Sequence, residues 1–339
     1  IKMAFPQAAV ARMDLDTTRT RSAYEKIIAV LRKLDIQHFF YIGGNDSMDT
    51  IKQLSEYAKA KNITDITFMG VPKTIDNDLA VTDHTPGYGS AAKYIASTMK
   101  EIIRDALVQP IKIVNIIEIM GRNAGWLTAA SALAKGDDCE GVDLIYLPET
   151  VFDINKFVAK VQEIQKTKKQ IVVAVSEGVK TADGKYVCES ASSNMLVDSF
   201  GHKQLSGTAS ALANVISNEI GCKTRAIEFS TIQRCASHIA SLTDVNEAFI
   251  VGGIAVKAAF DGETGKVGIF QRLSNKPYLM GTSIYDVNAI ANVEKTVPQE
   301  WIINDGTGVS QEALDYMRPL IQGEIYPYMV DGLPRHIKR

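Results

Sequence analysis

Two turns in this chain are crowded with groups that handle phosphate, metal and protons: "YIGGNDSMDT" at residues 41–50 and "GVPKTIDND" at residues 70–78. In the second, Asp76 and Asp78 stand two positions apart, with Lys73 and Thr74 just upstream. One carboxylate of such a pair can take the proton from a substrate hydroxyl while the other faces metal or solvent, and Lys73 can neutralise phosphate oxygens. That division of labour suits phosphoryl transfer, in which positioning and charge dominate. Asp and Asn are also turn formers and caps, so the loop alone leaves plain turn chemistry open. In the first turn, Gly43 and Gly44 let backbone approach a ligand, and the helix that follows offers unpaired N–H groups to a phosphate, although Gly pairs also simply end strands. Asn45 and Asp46 add oxygen ligands of the kind Mg2+ requires.

Three further places carry charge at strand ends. "MGRNAG" sets Arg122 where a guanidinium can fork onto phosphate or form a surface ion pair. Glu177 in "SEG" closes a strongly apolar run, where it can accept from sugar hydroxyls or cap the next segment. Arg225 and Arg234 flank "RAIEFSTIQR", and solvated strand ends account for either one alone. Trp126 sits at helical spacing in "WLTAAS" and reads as core, while His84 in "TDHTPGYG" has no visible partner and stays unassigned.

The elements that must position these loops follow from hydrophobic spacing. "SAYEKIIAVLRK" is helical, "IQHFFYIGG" runs apolar into the Gly pair, "SMDTIKQLSEYAKA" is helical again with Ser47 as its cap, and "ITDITFMGVP" is a second apolar run ended by Pro72. This is a βαβ unit with parallel strands. The alternation continues with a helix within residues 90–108, strands at 113–119 and 143–149 with a helix at 124–134 between them, helix "INKFVAKVQEIQK", a strand at 170–178, a helix at 209–220 and a strand at 224–232. Continuous apolar runs mark strands buried on both faces, so the fold class is an open doubly wound α/β fold with mostly parallel sheets. Ligands in such sheets sit beyond the carboxyl ends of the strands, where the charged loops lie.

Composition sets the outer bounds. The chain has 339 residues, 46% hydrophobic and 22% charged, and at about 100–200 residues per domain this suits two domains. Lys plus Arg number 37 against 39 Asp plus Glu, a formal charge of -2 with no block of like charge, so nucleic acid is not an expected partner. Cys139, Cys188, Cys222 and Cys235 form no CxxC pair and the five histidines are scattered, so buried free thiols in a reducing cytosol are expected, not a zinc site or disulfide framework. No apolar run approaches the roughly 18–20 residues that span a bilayer and no signal peptide is visible, so a cytoplasmic protein with no membrane partner is expected.

Taken in order, "GGNDS … PKTIDND … MGR … EG … IQR" resembles the phosphofructokinase family over nearly the whole chain. The resemblance implies two similar α/β lobes with the active site in the cleft between them, residues 1–87 with 234–290 forming the phosphate-donor lobe and 88–233 with 291–339 the sugar-phosphate lobe. It implies that Asp76 is the general base for the 1-hydroxyl of fructose 6-phosphate. Thr74, Met120, Gly121, Arg122 and Glu177 match positions that hold the sugar phosphate, Arg234 an arginine that grips the 6-phosphate, and Arg225 one lent by a neighbouring subunit, so a homodimer or higher homo-oligomer is expected. Gly43, Gly44, Asp46 and Lys73 fall on the donor side, with Asn45 and Asp78 on Mg2+.

The donor follows from two substitutions. ATP-using members read "GGDGS" and "PGTIDND", whereas pyrophosphate-using members carry Asp and Lys where this chain has Asp46 and Lys73. A carboxylate where the α-phosphate of ATP would thread adds bulk and like charge, and Lys73 can neutralise a small leaving phosphate. Pyrophosphate is therefore the expected donor, with an ATP-dependent enzyme or a non-catalytic regulatory subunit as the alternatives. The chain departs from the family's usual pattern at Asn45, where a metal-binding Asp is usual, at Thr231, a substrate-binding position where many ATP-using members have a His, and at Ile113, where those members have a second intersubunit Arg, with Lys112 adjacent. It also opens on Ile1 without the family's first strand and glycine loop, so it reads as truncated, with Arg12 in a remnant of the next donor-site segment.

Overall fold

A computed structural model describes residues 18–190 and 205–336 of the chain; Arg12 lies outside the described residues. In chain order the principal elements are α1 Thr18–Lys33, β1 His38–Gly43, α2 Asn45–Ala60, β2 Thr67–Pro72, α3 Tyr88–Leu107, β3 Ile113–Ile119, α4 Trp126–Ala129, β4 Leu144–Tyr146, α5 Ile154–Ile164, β5 Gln170–Ser176, α6 Thr208–Ile220, β6 Lys223–Glu228, α7 Leu242–Phe260, β7 Lys266–Asn275, β8 Tyr278–Asp286 and α8 Gln311–Met317. They form two four-stranded sheets, β1-β2-β7-β8 and β4-β5-β3-β6. The second is parallel throughout, and in the first only the β7–β8 hairpin is antiparallel. The expected doubly wound α/β class with mostly parallel sheets is therefore the observed one.

Burial on both faces explains the continuous apolar runs. Along β3, Ile117 and Ile119 face a core shared with α3 and α4, while Val114 and Ile116 face the core under α5 and α6. Trp126 is 3% exposed, edge-on to Trp301 at 6.0 Å, and is core. In the first sheet Phe68, Val267 and Ile269 pack on α1 and α2, and Met69 packs on Ala258 and Ala259 of α7. Among the described residues, no helix is long and apolar enough to cross a membrane. All four cysteines are free, but Cys235 is exposed and Cys139 and Cys222 are half-buried; Cys188 alone fits the expectation of a buried thiol.

Several local expectations are corrected. Ser47 does not cap α2: the helix starts earlier, at Asn45, with Gly44 as N-cap, which puts Asn45 and Asp46 in its first turn. The strand expected at 224–232 stops at Glu228, and "STIQR" is a 3-10 turn that re-aims Arg234. The helix expected at 124–134 is one α turn that tightens to 3-10 from Ala130. Elements α7, β7 and β8 were not read from the sequence at all. The structure uses them to complete the first sheet, since β2 pairs with β7 some 200 positions later at Met69↔Lys266 and Gly70↔Val267.

Polar contacts lock the two halves together. Asp244 of α7 accepts the N–H of Gly87 at 2.8 Å and of Ser90 at 3.1 Å, satisfying donors that the first turn of α3 leaves open. His84, unassigned from sequence, is 1% exposed and far from partnerless. Its Nδ1 meets Asp83 at 2.9 Å and its Nε2 meets Glu247 at 2.7 Å, while its ring stacks on Phe270 at 4.5 Å. Both ring nitrogens facing carboxylates requires both to donate, which is the imidazolium form. Burial works against that charge, but the hydrogen bonds to Asp83 and Glu247 more than offset it and hold the group above its usual value. Arg272 completes the cluster, reaching Asp83 at 2.9 Å and stacking over Tyr316.

Two predictions follow from this packing. The stability that His84 contributes is fully present below about pH 6.5, its unfolded value, and is lost as pH rises through its raised folded value. Thermal melts across pH 6–9 should show that fall in the native chain and not in His84→Leu, which should itself cost about 3–5 kcal/mol by removing the buried cation that Asp83 and Glu247 share. Separately, a Cβ on Gly178 would sit 1.9 Å from the Arg122 carbonyl oxygen, so Gly178→Ala should force the "MGR" and "SEG" loops apart at a cost of about 1–3 kcal/mol. An unshifted melting midpoint would show that these loops are not held by that contact.

Candidate active site

The carboxyl ends of β1, β2, β3 and β5 face one cleft of about 830 Å³, a size typical of small-ligand sites. Gly43, Gly44, Asn45 and Asp46 line it from the first loop, and Lys73, Thr74, Asp76 and Asp78 from the second. Met120, Gly121, Arg122, Glu177 and Arg234 line it from the second sheet. Two of the expected residues lie elsewhere. Arg225, on β6, pairs with Asp105 at 3.0 Å outside the cleft, and Thr231 stands exposed on the 3-10 turn and does not line it.

The second loop works by alternation. Thr74 donates from its hydroxyl to Asp76 Oδ2 at 2.9 Å and accepts the Asp76 N–H at 3.2 Å, fixing that carboxylate at the cleft wall. Asn77 has φ 55, a left-handed conformation that Asn tolerates, and its side chain turns away from the cleft into a buried floor. There its amide donates to Tyr316 at 2.9 Å and its oxygen accepts the Thr85 N–H at 3.1 Å. Asp76 and Asp78 are thus left together in the cleft. Burial, then the neighbouring Asp76 charge, push Asp78 up to about 7.

In the first loop, Lys73 donates its backbone N–H to the Gly43 carbonyl at 3.0 Å, so the two loops form one surface. Gly43 has no room for a side chain, since a Cβ there would lie 2.0 Å from Ser47 Oγ. The Asn45 carboxamide oxygen accepts the Asn292 backbone N–H at 2.6 Å, which leaves one of its lone pairs available.

On the other wall, Gly121 has φ 144 and donates to Glu177 at 3.4 Å, and Ser176 donates to the Gly121 carbonyl. Glu177 is pushed up to about 7, by burial first and by Glu118 and Asp76 as well, against the pull of the Gly121 N–H and of Arg122. Gln233, 2% exposed, accepts the Met120 N–H at 3.2 Å, and this tie carries Arg234 into the cleft. Asn45 and Asp78, the two expected metal-side residues, both line the cleft and offer hard oxygen donors of the type Mg2+ takes. Among the described residues, however, no three or more His, Cys, Asp or Glu surround a single point.

Three residues that the sequence reading missed belong to the same constellation. Asn292 and Glu294 line the cleft, and Lys295 lies half-buried beneath the second loop. Its ammonium donates to the carbonyls of Asp83 at 2.7 Å and Thr82 at 3.1 Å, and burial draws it down to about 8 against the pull of Asp83 and Asp78. Three polar types in "NVEK" were the available signal, but the segment has no periodicity and is far from the other loops in sequence.

Comparison with known proteins gives the chain's relatives. A model of the phosphofructokinase family matches residues 10–234. Over 337 residues the chain is 39% identical to the pyrophosphate--fructose 6-phosphate 1-phosphotransferase of Halomonas elongata, covering 99% of this chain and 79% of that one. It is 42% identical over 320 residues to the protein of the same name from Xanthomonas campestris, covering 94% and 76%. A crystal structure of pyrophosphate-dependent phosphofructokinase from Nitrosospira multiformis superposes with a TM-score of 0.84 at 37% identity, covering 94% of this chain and 75% of that one. With its strand-end loops converging on one cleft and these similarities running almost end to end, the chain belongs to the phosphofructokinase family.

Proposed function

We propose that this chain transfers a phosphoryl group from pyrophosphate to the 1-hydroxyl of fructose 6-phosphate, giving fructose 1,6-bisphosphate and phosphate. The observation that carries the reading is the convergence of Asp46, Lys73 and Asp76 on one cleft opposite Arg122 and Arg234. The names of the Halomonas and Xanthomonas relatives support it. Arg122 and Arg234 face the sugar phosphate, Met120 and Gly121 shape its wall, and Glu177 accepts from its hydroxyls. Arg225, being outside its own chain's cleft, is read as serving a second copy, in a homodimer or higher oligomer.

Asp76 takes the proton from the C1 hydroxyl, held ready by the Thr74 hydroxyl. The C1 oxygen attacks the near phosphorus in line, the bridging P–O bond breaks, and phosphate leaves beside Lys73, whose charge offsets the developing negative charge. Asp46 occupies the space a nucleotide would need. Asn45 and Asp78 would hold Mg2+ together with the donor's own oxygens, the usual arrangement for this ion, and the ion would supply charge neutralisation on the phosphates. A donor of modest transfer potential lets the reaction run in both directions.

Asp76→Ser should lower kcat by about 10²–10⁴-fold while leaving fructose 6-phosphate affinity nearly unchanged, as steady-state turnover and calorimetry would show; turnover at the native rate refutes the base. Side-by-side assays should find turnover with pyrophosphate and little with ATP, and Asp46→Gly with Lys73→Gly should narrow that gap. A native chain that consumes ATP and ignores pyrophosphate overturns the reading.

A further inference from the structure

Residues 292–295 touch all three loop systems of the cleft. Asn292, held at φ 63, donates its backbone N–H to Asn45 and its side-chain amide to Asp49 at 2.7 Å, both on α2 at the donor loop. Glu294 pairs with Leu79 as an isolated antiparallel bridge and accepts the Asn123 amide, from the sugar-side loop, at 2.8 Å. Lys295 donates its backbone N–H to the Asp78 carbonyl at 2.7 Å, and its ammonium binds the carbonyls that close the Asp76 loop. The segment is itself anchored from behind, where Trp126 Nε1 donates to the Lys295 carbonyl at 2.8 Å and the Val297 N–H reaches Glu149 at 2.9 Å.

We propose that Asn292, Glu294 and Lys295 form a strap of positioning residues that sets the donor loop, the sugar-side loop and the base loop at fixed separations. Each residue serves a different loop, so each governs a different part of the reaction. The assignment of kinetic roles rests on the phosphotransferase reading; the strap itself rests on the contacts. In-line transfer needs reacting atoms within about 3–3.5 Å of each other, so small loop displacements are costly. The Asn292 side chain acts on pyrophosphate through Asp49 and so through the placement of α2 and its first turn at Asn45, Glu294 on the sugar phosphate through Asn123 beside Arg122, and Lys295 on Asp76 through the loop's carbonyls.

The test uses Asn292→Gly, which keeps the left-handed backbone and its N–H on Asn45 while removing the side-chain amide from Asp49, together with Glu294→Ala, Lys295→Met and the conservative Lys295→Arg. Asn292→Gly should raise KM for pyrophosphate about tenfold with kcat and the sugar KM within about threefold; Glu294→Ala should do the same to the sugar KM. Lys295→Met should lower kcat about 30-fold or more with both KM values little changed, and Lys295→Arg should recover a large part of it. Hydrogen exchange on the ligand-free chains is read in parallel: Asn292→Gly should speed amides at 45–50, and Lys295→Met those at 74–85, without the reverse. A native chain with no pyrophosphate turnover overturns the phosphotransferase reading and leaves the exchange pattern to decide the strap. Uniform loss in all parameters, exchange that rises everywhere together, or unchanged exchange in both loops overturns the strap.

Discussion

A carboxylate-bearing loop can stand in an open cleft only if the polar groups on its buried side are satisfied, and among the described residues no buried side-chain N or O of 73–87 lacks a hydrogen-bond partner. Asn77 hydrogen-bonds Tyr316, Tyr316 donates to the Asp83 carbonyl, Lys295 binds the neighbouring carbonyls, and His84 bridges Asp83 to Glu247. A buried amide or charge left without a partner costs kilocalories, so these contacts form a mutually dependent floor. The floor draws on α7, β7, α8 and the segment after β8. Much of the chain beyond residue 234 is thereby committed to holding a loop near residue 76.

The cleft above that floor is crowded with like charge. Asp78 and Glu177 are pushed up to about 7 by burial and by Asp76. Lys73, Arg122 and Arg234 supply the opposing sign from both walls. In the proposed reaction, pyrophosphate and the sugar phosphate would meet cations for their oxygens and a carboxylate for the attacking hydroxyl. Fixed charges of both signs need little reorganisation when the reaction's charge moves, which is the physical basis of electrostatic catalysis.

Much of this was legible in the sequence, and the rest was not, for physical reasons. Strands such as β3 and β5 are buried on both faces, so their apolar runs stand out, and the loops at their ends are short and dense in Gly, Asp and Arg. The boundaries failed where polar contacts outweighed periodicity: Gln233 bends "STIQR" into a 3-10 turn, and α2 begins at Asn45 ahead of its apolar stripe. Of the two partners of His84, Asp83 is adjacent but is an ordinary loop residue by sequence, and Glu247 lies 163 positions away. The 292–295 segment was invisible for the same reason, since its meaning lies entirely in what it touches.

That separation also bears on biosynthesis. Asn45 is clamped by a residue 247 positions later, and Asn77 by one 239 positions later. β2 has no inner neighbour until β7 is made, by which time all of the second sheet has left the ribosome. Contacts of such long range form late and slowly. The nascent chain therefore emerges with its reactive loops already translated but unassembled, and a copy interrupted before residue 292 carries the carboxylates of the site without its geometry.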